Sequence, residues 1–248
     1  MRKTVETGFR WSDAMKSPMR FALPLLVALL AVLVPPASAQ APAPERLETL
    51  LQRMQATQQS IKTLRVSFVQ TNAFKMLSRA VELRGDLVLQ KPVTALYRYT
   101  SPQRLFYLVK DGDLLMYDPV RKQAFLQDIS RHQAKISRYL GISEPVDELR
   151  KNFEIRWERE EDGVVTLRLD PKKSRVKKKV ASMMFRVQEK SGLLREFEVE
   201  ELEGDRIRFA FSGWELNPVL GPDAFRVDLP PGTKVERKLM NFREPFQN

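Results

Sequence analysis

Between positions 85 and 119 the chain reads GDLVLQKPVTALYRYTSPQRLFYLVKDGDLLMYDP, four apolar-rich runs separated by Lys91-Pro92, Ser101-Pro102 and Asp111-Gly112 and closed by Asp118-Pro119. Proline pairs and Asp-Gly between apolar runs are turn chemistry, so the pattern predicts antiparallel strands joined by tight connections. At 105–109 (LFYLV) and 114–117 (LLMY) consecutive positions are apolar, not alternate ones. Such strands are oily on both faces, and since the turns are too short for a parallel crossover, each face needs its own cover.

Upstream, Leu47, Leu50, Leu51, Met54, Ile61 and Leu64 recur at helical spacing with Gln, Arg and Thr between them, which predicts an amphipathic helix of about five turns over 45–64. At Leu64, Val66 and Phe68 the period falls to two and a strand begins. A second strand, 79–90, carries Val81, Leu83, Leu87 and Leu89 on one face, after a longer loop at 71–78. Beyond the opening stretch, 121–127 adds another. The β rhythm breaks over 128–152, where Ile129, Ile136, Leu140, Val146 and Leu149 recur at helical spacing. Gly141 followed by Ser143-Glu144-Pro145 reads as a stop and a new start, so two short helices are expected there. Strands resume at 153–160, 164–170, 181–188, 193–202 and 206–213 with Gly-containing turns between several of them, then 225–229 before Pro230-Pro231-Gly232, and a short final run at 234–237. The class is α+β. A single antiparallel sheet of ten or more strands must curl, split or close, and two helical regions are available to lie on it. The expected architecture is therefore a strongly curved sheet, an incomplete β-barrel lidded by helices.

Composition adds where the chain works. Arg10, Lys16 and Arg20 precede the apolar run 21–34, and Ala37-Ser38-Ala39 follows as a small-x-small site, so 1–39 reads as a signal peptide and 40–248 as the mature, single domain. Met15 or Met19 is an alternative start. Removing the five Lys/Arg and two Asp/Glu of 1–39 lowers the formal charge from +11 to +8, still basic. The chain has no cysteine, which excludes a disulfide framework, a thiolate nucleophile and an acylated anchor. Export without cysteine points to a bacterial periplasm.

Catalysis finds little support. The one histidine, His132, lies near Ser130 and Ser137 in the predicted helical insertion, where a surface helix position explains it as well as a site does. Glu198, Glu200, Glu201 and Glu203 alternate along a strand and face solvent, and there is no His/Cys cluster and no Gly-rich phosphate loop, so neither a metal nor a cofactor is expected. Lys172, Lys173, Arg175, Lys177, Lys178 and Lys179 form the densest charge run, between two strands. A solvated hairpin is its plain reading. No aromatic residue is interleaved to stack bases, so nucleic acid is not the expected partner, and electrostatic docking on an acidic protein or an anionic lipid surface is the better functional reading. The oily strands under separable helical cover suit a cavity for an apolar ligand.

Taken in order, Phe68-Val69-Gln70, Gly85-Asp86-Leu87 running to Lys91-Pro92, Tyr97-Arg98-Tyr99, Ser101-Pro102, Asp111-Gly112, Tyr117-Asp118-Pro119 and 225–232 (FRVDLPPG) resemble the LolA-type periplasmic carriers of outer-membrane lipoproteins, over most of 45–236. The resemblance implies a non-enzymatic, monomeric carrier that holds lipoprotein acyl chains and moves them from an inner-membrane ABC release complex to an outer-membrane acceptor. It also implies a lipid site and lid latch drawn from Lys91, Phe68, Leu87, Leu89, Tyr97, Tyr99, Leu105, Tyr107, Leu115, Tyr117, Ile136 and Leu140. A periplasmic lipid-binding sensor, or a carrier of another lipid on the same fold, is the alternative it leaves. Lys91 stands where familiar members have an arginine that holds the lid shut; lysine keeps the charge and loses the planar fork. Ala95 stands where some members carry a larger apolar residue.

Overall fold

A computed structural model describes residues 44–76, 79–130 and 146–237, all within one unit spanning 41–248. Its helices are α1 (Pro44–Ser60), α2 (Val146–Asn152) and the single turn α3 (Ser174–Lys177). Strands β1 (Thr63–Ala73), β2 (Val81–Gln90), β3 (Thr94–Ser101), β4 (Leu105–Lys110), β5 (Asp113–Asp118) and β6 (Gln123–Asp128) precede α2. After it come β7 (Phe153–Glu161), β8 (Val164–Pro171), β9 (Val180–Gln188), β10 (Leu194–Glu201), β11 (Arg206–Leu216) and β12 (Lys234–Arg237). The predicted second helix of the 128–152 region is seen as α2, while its first, with Ile136, Leu140 and His132, lies outside the described residues, as does the signal segment.

The strands form one open sheet in the order β12-β6-β5-β4-β3-β2-β1-β11-β10-β9-β8-β7, with β12 and β7 as its two edges. Ten of the eleven pairings are antiparallel; β12 runs parallel to β6, which makes the sheet mixed and corrects the all-antiparallel expectation. The cause is the route of the chain. Segment 217–233 leaves β11 beside β1 and must cross β1 to β6 to reach the far side of β6. The 225–229 stretch, read as a strand from its alternation, is part of this crossing strap and pairs with no strand among the described residues; short turns at Ala224 N to Gly221 O (3.1 Å) and Arg226 N to Asp223 O (3.0 Å) lead into it.

Each face of the sheet carries a cover, the helical one over β8 and β9. On one face α1 and α2 bury Leu50, Leu51, Met54, Val146 and Leu149 against Val165, Leu167, Leu169, Phe185 and Val187. On the other, Val88, Leu96 and Leu108 stand opposite one another across β2 to β4, and Val88, Leu96, Tyr117 and Ala124 are buried. Arg98, on that outer face, donates to Ala224 O at 2.8 Å, which places the strap there. Helix α1 stops at Ser60, four residues short of its apolar periodicity. Asn217 intercepts the chain: its Oδ1 accepts from Lys62 N at 2.6 Å and its Nδ2 donates to Ser60 O at 3.1 Å, satisfying groups that a helix end leaves open.

Candidate functional site

Alternation puts every second side chain of each strand on the face that carries α1, and the register carries that set across the sheet. Phe185, Phe197 and Phe209 stand opposite one another on β9, β10 and β11, and Phe211 opposes Phe68 on β1. Beyond β2, Tyr99 and Tyr107 continue the row. Centroid separations along it are 6.4 Å for Phe185–Phe197, 5.0 Å for Phe197–Phe209, 5.7 Å for Phe209–Phe68, 5.1 Å for Phe68–Tyr99 and 5.7 Å for Tyr99–Tyr107. This is a lane of six touching rings on six strands. Edge-on and offset contacts of this kind each add about 0.5–1.5 kcal/mol beyond burial.

Two backbone features make the lane continuous. Phe68 faces Gly85 across β1 and β2, and a Cβ there would sit 2.7 Å from Phe68 Cζ and 2.3 Å from Arg98 O, so only glycine leaves room for the ring to pass over β2. On β11, Gly213 (φ 63°) and Trp214 together oppose Val66, a bulge that turns Trp214 onto the inner face against Phe211 at 5.6 Å. Trp214 Nε1 is buried there with no hydrogen-bond partner among the described residues. The phenols inside are provided for differently: burial pushes the Tyr97 and Tyr99 hydroxyls far above the usual range and raises that of Tyr107, keeping them neutral, and Tyr99 Oη donates to Gln70 Oε1 at 2.7 Å.

Helix α1 lies across one half of this face. The β9–β10 turn meets it at Gly192 (φ 69°), whose missing Cβ would come within 2.8 Å of the Arg53–Met54 backbone. Arg53 Nη1 donates to Glu189 O (2.6 Å) and Thr57 Oγ1 to Ser191 O (2.6 Å). Arg46 pairs with Glu160 (2.7 Å) and Glu189 (2.8 Å) and stacks over Trp157, while Arg150 of α2 reaches Glu48 at 2.6 Å. At the other end of α1, Lys91 Nζ donates to Gln58 O and Lys91 N to Lys62 O at 2.9 Å. Partial burial holds the Lys91 ammonium below its ordinary value.

Of the residues singled out from sequence, Phe68, Leu87, Leu89 and Tyr97 are buried together on the inner face, with Tyr99 and Tyr107 packed against them. Leu105 opposes Tyr99 on the same face. Leu115 and Tyr117 do not join them. They oppose Leu108 and Phe106, the outward set of β4, so Tyr117 stacks on Phe106 at 5.9 Å beneath the strap side, and Leu114 and Met116 take the inner positions. Lys172, Lys173, Arg175, Lys177, Lys178 and Lys179 are brought together in the β8–β9 connection, which is a helical turn (α3) and not a plain hairpin; Val176 packs inward from it. Two carboxylates of β10 are ion-paired across the outer face, Glu196 with Arg208 (2.5 Å) and Glu200 with Arg206 (3.1 Å). Sequence reasoning passed over Phe185, Phe197, Phe209, Phe211 and Trp214, although Phe197 stands between Glu196 and Glu198 and Phe209 and Phe211 are two positions apart. Two surface hollows, of about 240 and 310 Å³, lie off the lane and carry charged linings, one beside Arg46 and Arg53 and one on the outer face around Arg65, Asp86 and Arg98. Among the described residues no cluster of metal-ligating side chains occurs, and no helix is long and apolar enough to cross a membrane.

The family model of outer membrane lipoprotein carrier protein LolA matches residues 59–228. An outer-membrane lipoprotein carrier protein of Azotobacter vinelandii is 25% identical over 217 residues, 88% of this chain and 99% of that protein. Another, from Cupriavidus taiwanensis, is 28% identical over 159 residues, 62% of this chain and 70% of that protein. Among solved structures, a conserved protein of Thermus thermophilus superposes with a TM-score of 0.49 at 11% identity, covering 77% of this chain and 99% of that one.

Proposed function

The chain belongs to the LolA family of outer membrane lipoprotein carrier proteins, and from that premise we propose that it is a periplasmic carrier that takes lipoprotein acyl chains onto the inner aromatic lane, under α1, without catalysis. In this reading it receives them from an inner-membrane ABC release complex and yields them to an outer-membrane acceptor. The observation that carries the reading is the six-ring lane from Phe185 to Tyr107. Its rings rest on one another, so accommodating a chain means parting them and lifting the cover.

Magnitudes support that order of events. Three acyl chains of roughly 15 carbons, at about 0.8 kcal/mol per buried CH₂, cost on the order of 35 kcal/mol to expose. Helix α1 is held by three buried side chains, Leu50, Leu51 and Met54, worth about 1.5–3 kcal/mol each. Its exposed ion pairs add about 0–1 kcal/mol apiece. Cargo therefore outweighs the lid, and the lid recloses when cargo leaves. Trp214 Nε1, a buried donor unmet among the described residues, suits a carbonyl acceptor at the ester end of an acyl chain.

The test is direct. Protein purified from an exporting host is expected to carry acyl lipid visible by native mass spectrometry, and to withdraw lipoprotein from inner-membrane vesicles containing the release complex. Protein that is empty and withdraws nothing overturns the reading.

A further inference from the structure

Three connections meet at the end of the sheet opposite Lys91. Lys75 N of the β1–β2 loop donates to Asp205 Oδ1 at 2.8 Å, and the Lys75 stem lies against Gly204, whose Cβ would sit 3.0 Å from Lys75 Cδ. Leu202 N of the same β10–β11 turn donates to Lys179 O at 3.1 Å, tying the turn to the β8–β9 connection. The rim so formed carries Lys75 and Arg79 from the first loop and Lys172, Lys173, Arg175, Lys177, Lys178 and Lys179 from the last. Against these eight cations the β10–β11 turn and the end of β10 set Glu201, Glu203 and Asp205, leaving a local charge of +5. None of the eight cations is in an ion pair among the described residues, although acids elsewhere on the sheet are paired. Between them stand large apolar side chains in water: Met76 is 96% exposed, Leu202 58% and Phe74 38%.

We propose that this rim is a peripheral docking surface for an anionic lipid bilayer. A protein partner is matched by shape, and would be expected to meet a contiguous apolar patch; here single apolar tips flank cations, Phe74 and Met76 on either side of Lys75. That is the pattern that sinks a few side chains below headgroups while the ammonium ends stay among the phosphates. The position also serves the lane. Phe209 lies three residues into β11 from Arg206, about 10 Å from the rim, so a docked protein holds its ring lane next to the membrane surface.

The experiment is co-sedimentation of the purified protein with vesicles of phosphatidylethanolamine and phosphatidylglycerol, with no lipoprotein present, so that it reads docking independently of cargo transfer. Binding is expected at low salt, fading as salt rises toward physiological strength, where screening acts over about 8 Å. It is expected to be absent on pure phosphatidylcholine. Each cation near an anionic surface is worth about fivefold in partition, so Lys177→Glu, Lys178→Glu and Lys179→Glu combined, which remove three cations and add three repelled anions, should weaken binding at least about 100-fold. Met76→Ser with Leu202→Ser should weaken it by about tenfold with the salt dependence kept; Met76 is so exposed that its loss leaves the fold alone, and unchanged melting of both variants is the control. Equal binding to neutral vesicles, or charge-reversed protein binding as the wild type does, overturns the proposal. Wild type that ignores vesicles while the reversed variant loses hand-over of lipoprotein also overturns it, and assigns the rim to an acidic protein.

Discussion

At the scale of single residues, Gly85 and Lys91 bracket the most informative part of β2. Gly85 is required by space and not by conformation: Phe68 and the Arg98 carbonyl occupy the place of a side chain. Gly85→Ala should therefore act as overpacking, costing about 1–3 kcal/mol and lowering the Tm of a domain this size by about 3–10 °C in a thermal melt. Lys91 binds the last turn of α1 through Gln58 O, and its burial is incomplete. Lys91→Met keeps the stem and removes the donor, so amides near 58–62 should exchange with solvent about fivefold faster, the worth of one hydrogen bond of about 1 kcal/mol. Because its folded value lies below the ordinary 10.5, the unfolded chain holds more protons just under pH 10.5. Wild type should gain stability relative to Lys91→Met as pH rises through that window, with a constant difference below it. Paired denaturant titrations across that range measure this, and a difference falling with rising pH contradicts the burial of the charge.

At the scale of elements, the lane divides the sheet into faces that mutation can tell apart. Phe209→Ser removes a lane ring, and loss of about 1.5–3 kcal/mol of contact should speed acyl-chain dissociation at least tenfold in a fluorescent fatty-acid displacement assay. Phe106→Ser, which unstacks Tyr117 on the strap side, should lower Tm and leave that dissociation rate within about twofold. The strands themselves were legible from period-two runs and turn pairs, and so was the helical start at Leu47 to Met54, because those signals are local. What sequence did not supply came from distant partners. Asn217 ends α1 at Ser60 from more than 150 positions away, so no local stop signal existed to read. The 225–232 motif alternates as a strand does but crosses strands instead of joining them, which alternation cannot distinguish. In β5 every position from Leu114 to Tyr117 is apolar, so the pattern held no choice of face; pairing of Tyr107 with Met116 made it and sent Leu115 and Tyr117 outward. The rings of β9 to β11 were visible as alternating aromatics, yet only the register shows that they extend the row begun by Phe68.

At the scale of the whole molecule, the sheet is open at β12 and β7 and its two faces are covered by unlike means. The outer face is crossed by a strap anchored at both ends, through Asn217 beside Thr63 and through β12 on β6. One half of the inner face is covered by α1, whose contacts to the sheet are side-chain hydrogen bonds, exposed ion pairs and three buried residues, a set that can be given up without breaking any strand pairing. The asymmetry means that opening belongs to the inner face. The natural chain has no cysteine, so one engineered pair reports on this without background. Thr57 and Ser191 are already joined by a side-chain to backbone hydrogen bond of 2.6 Å between α1 and the β9–β10 turn. Thr57→Cys with Ser191→Cys, oxidised, closes a long loop and should raise stability by about 2–4 kcal/mol. Locked in this way the protein should fail to load acyl chains onto the lane, and reductant should restore loading to the rate of the reduced pair. Oxidised protein that loads as fast as reduced protein would show that cargo reaches the rings past the far half of the sheet, from β1 to β6, with α1 left in place.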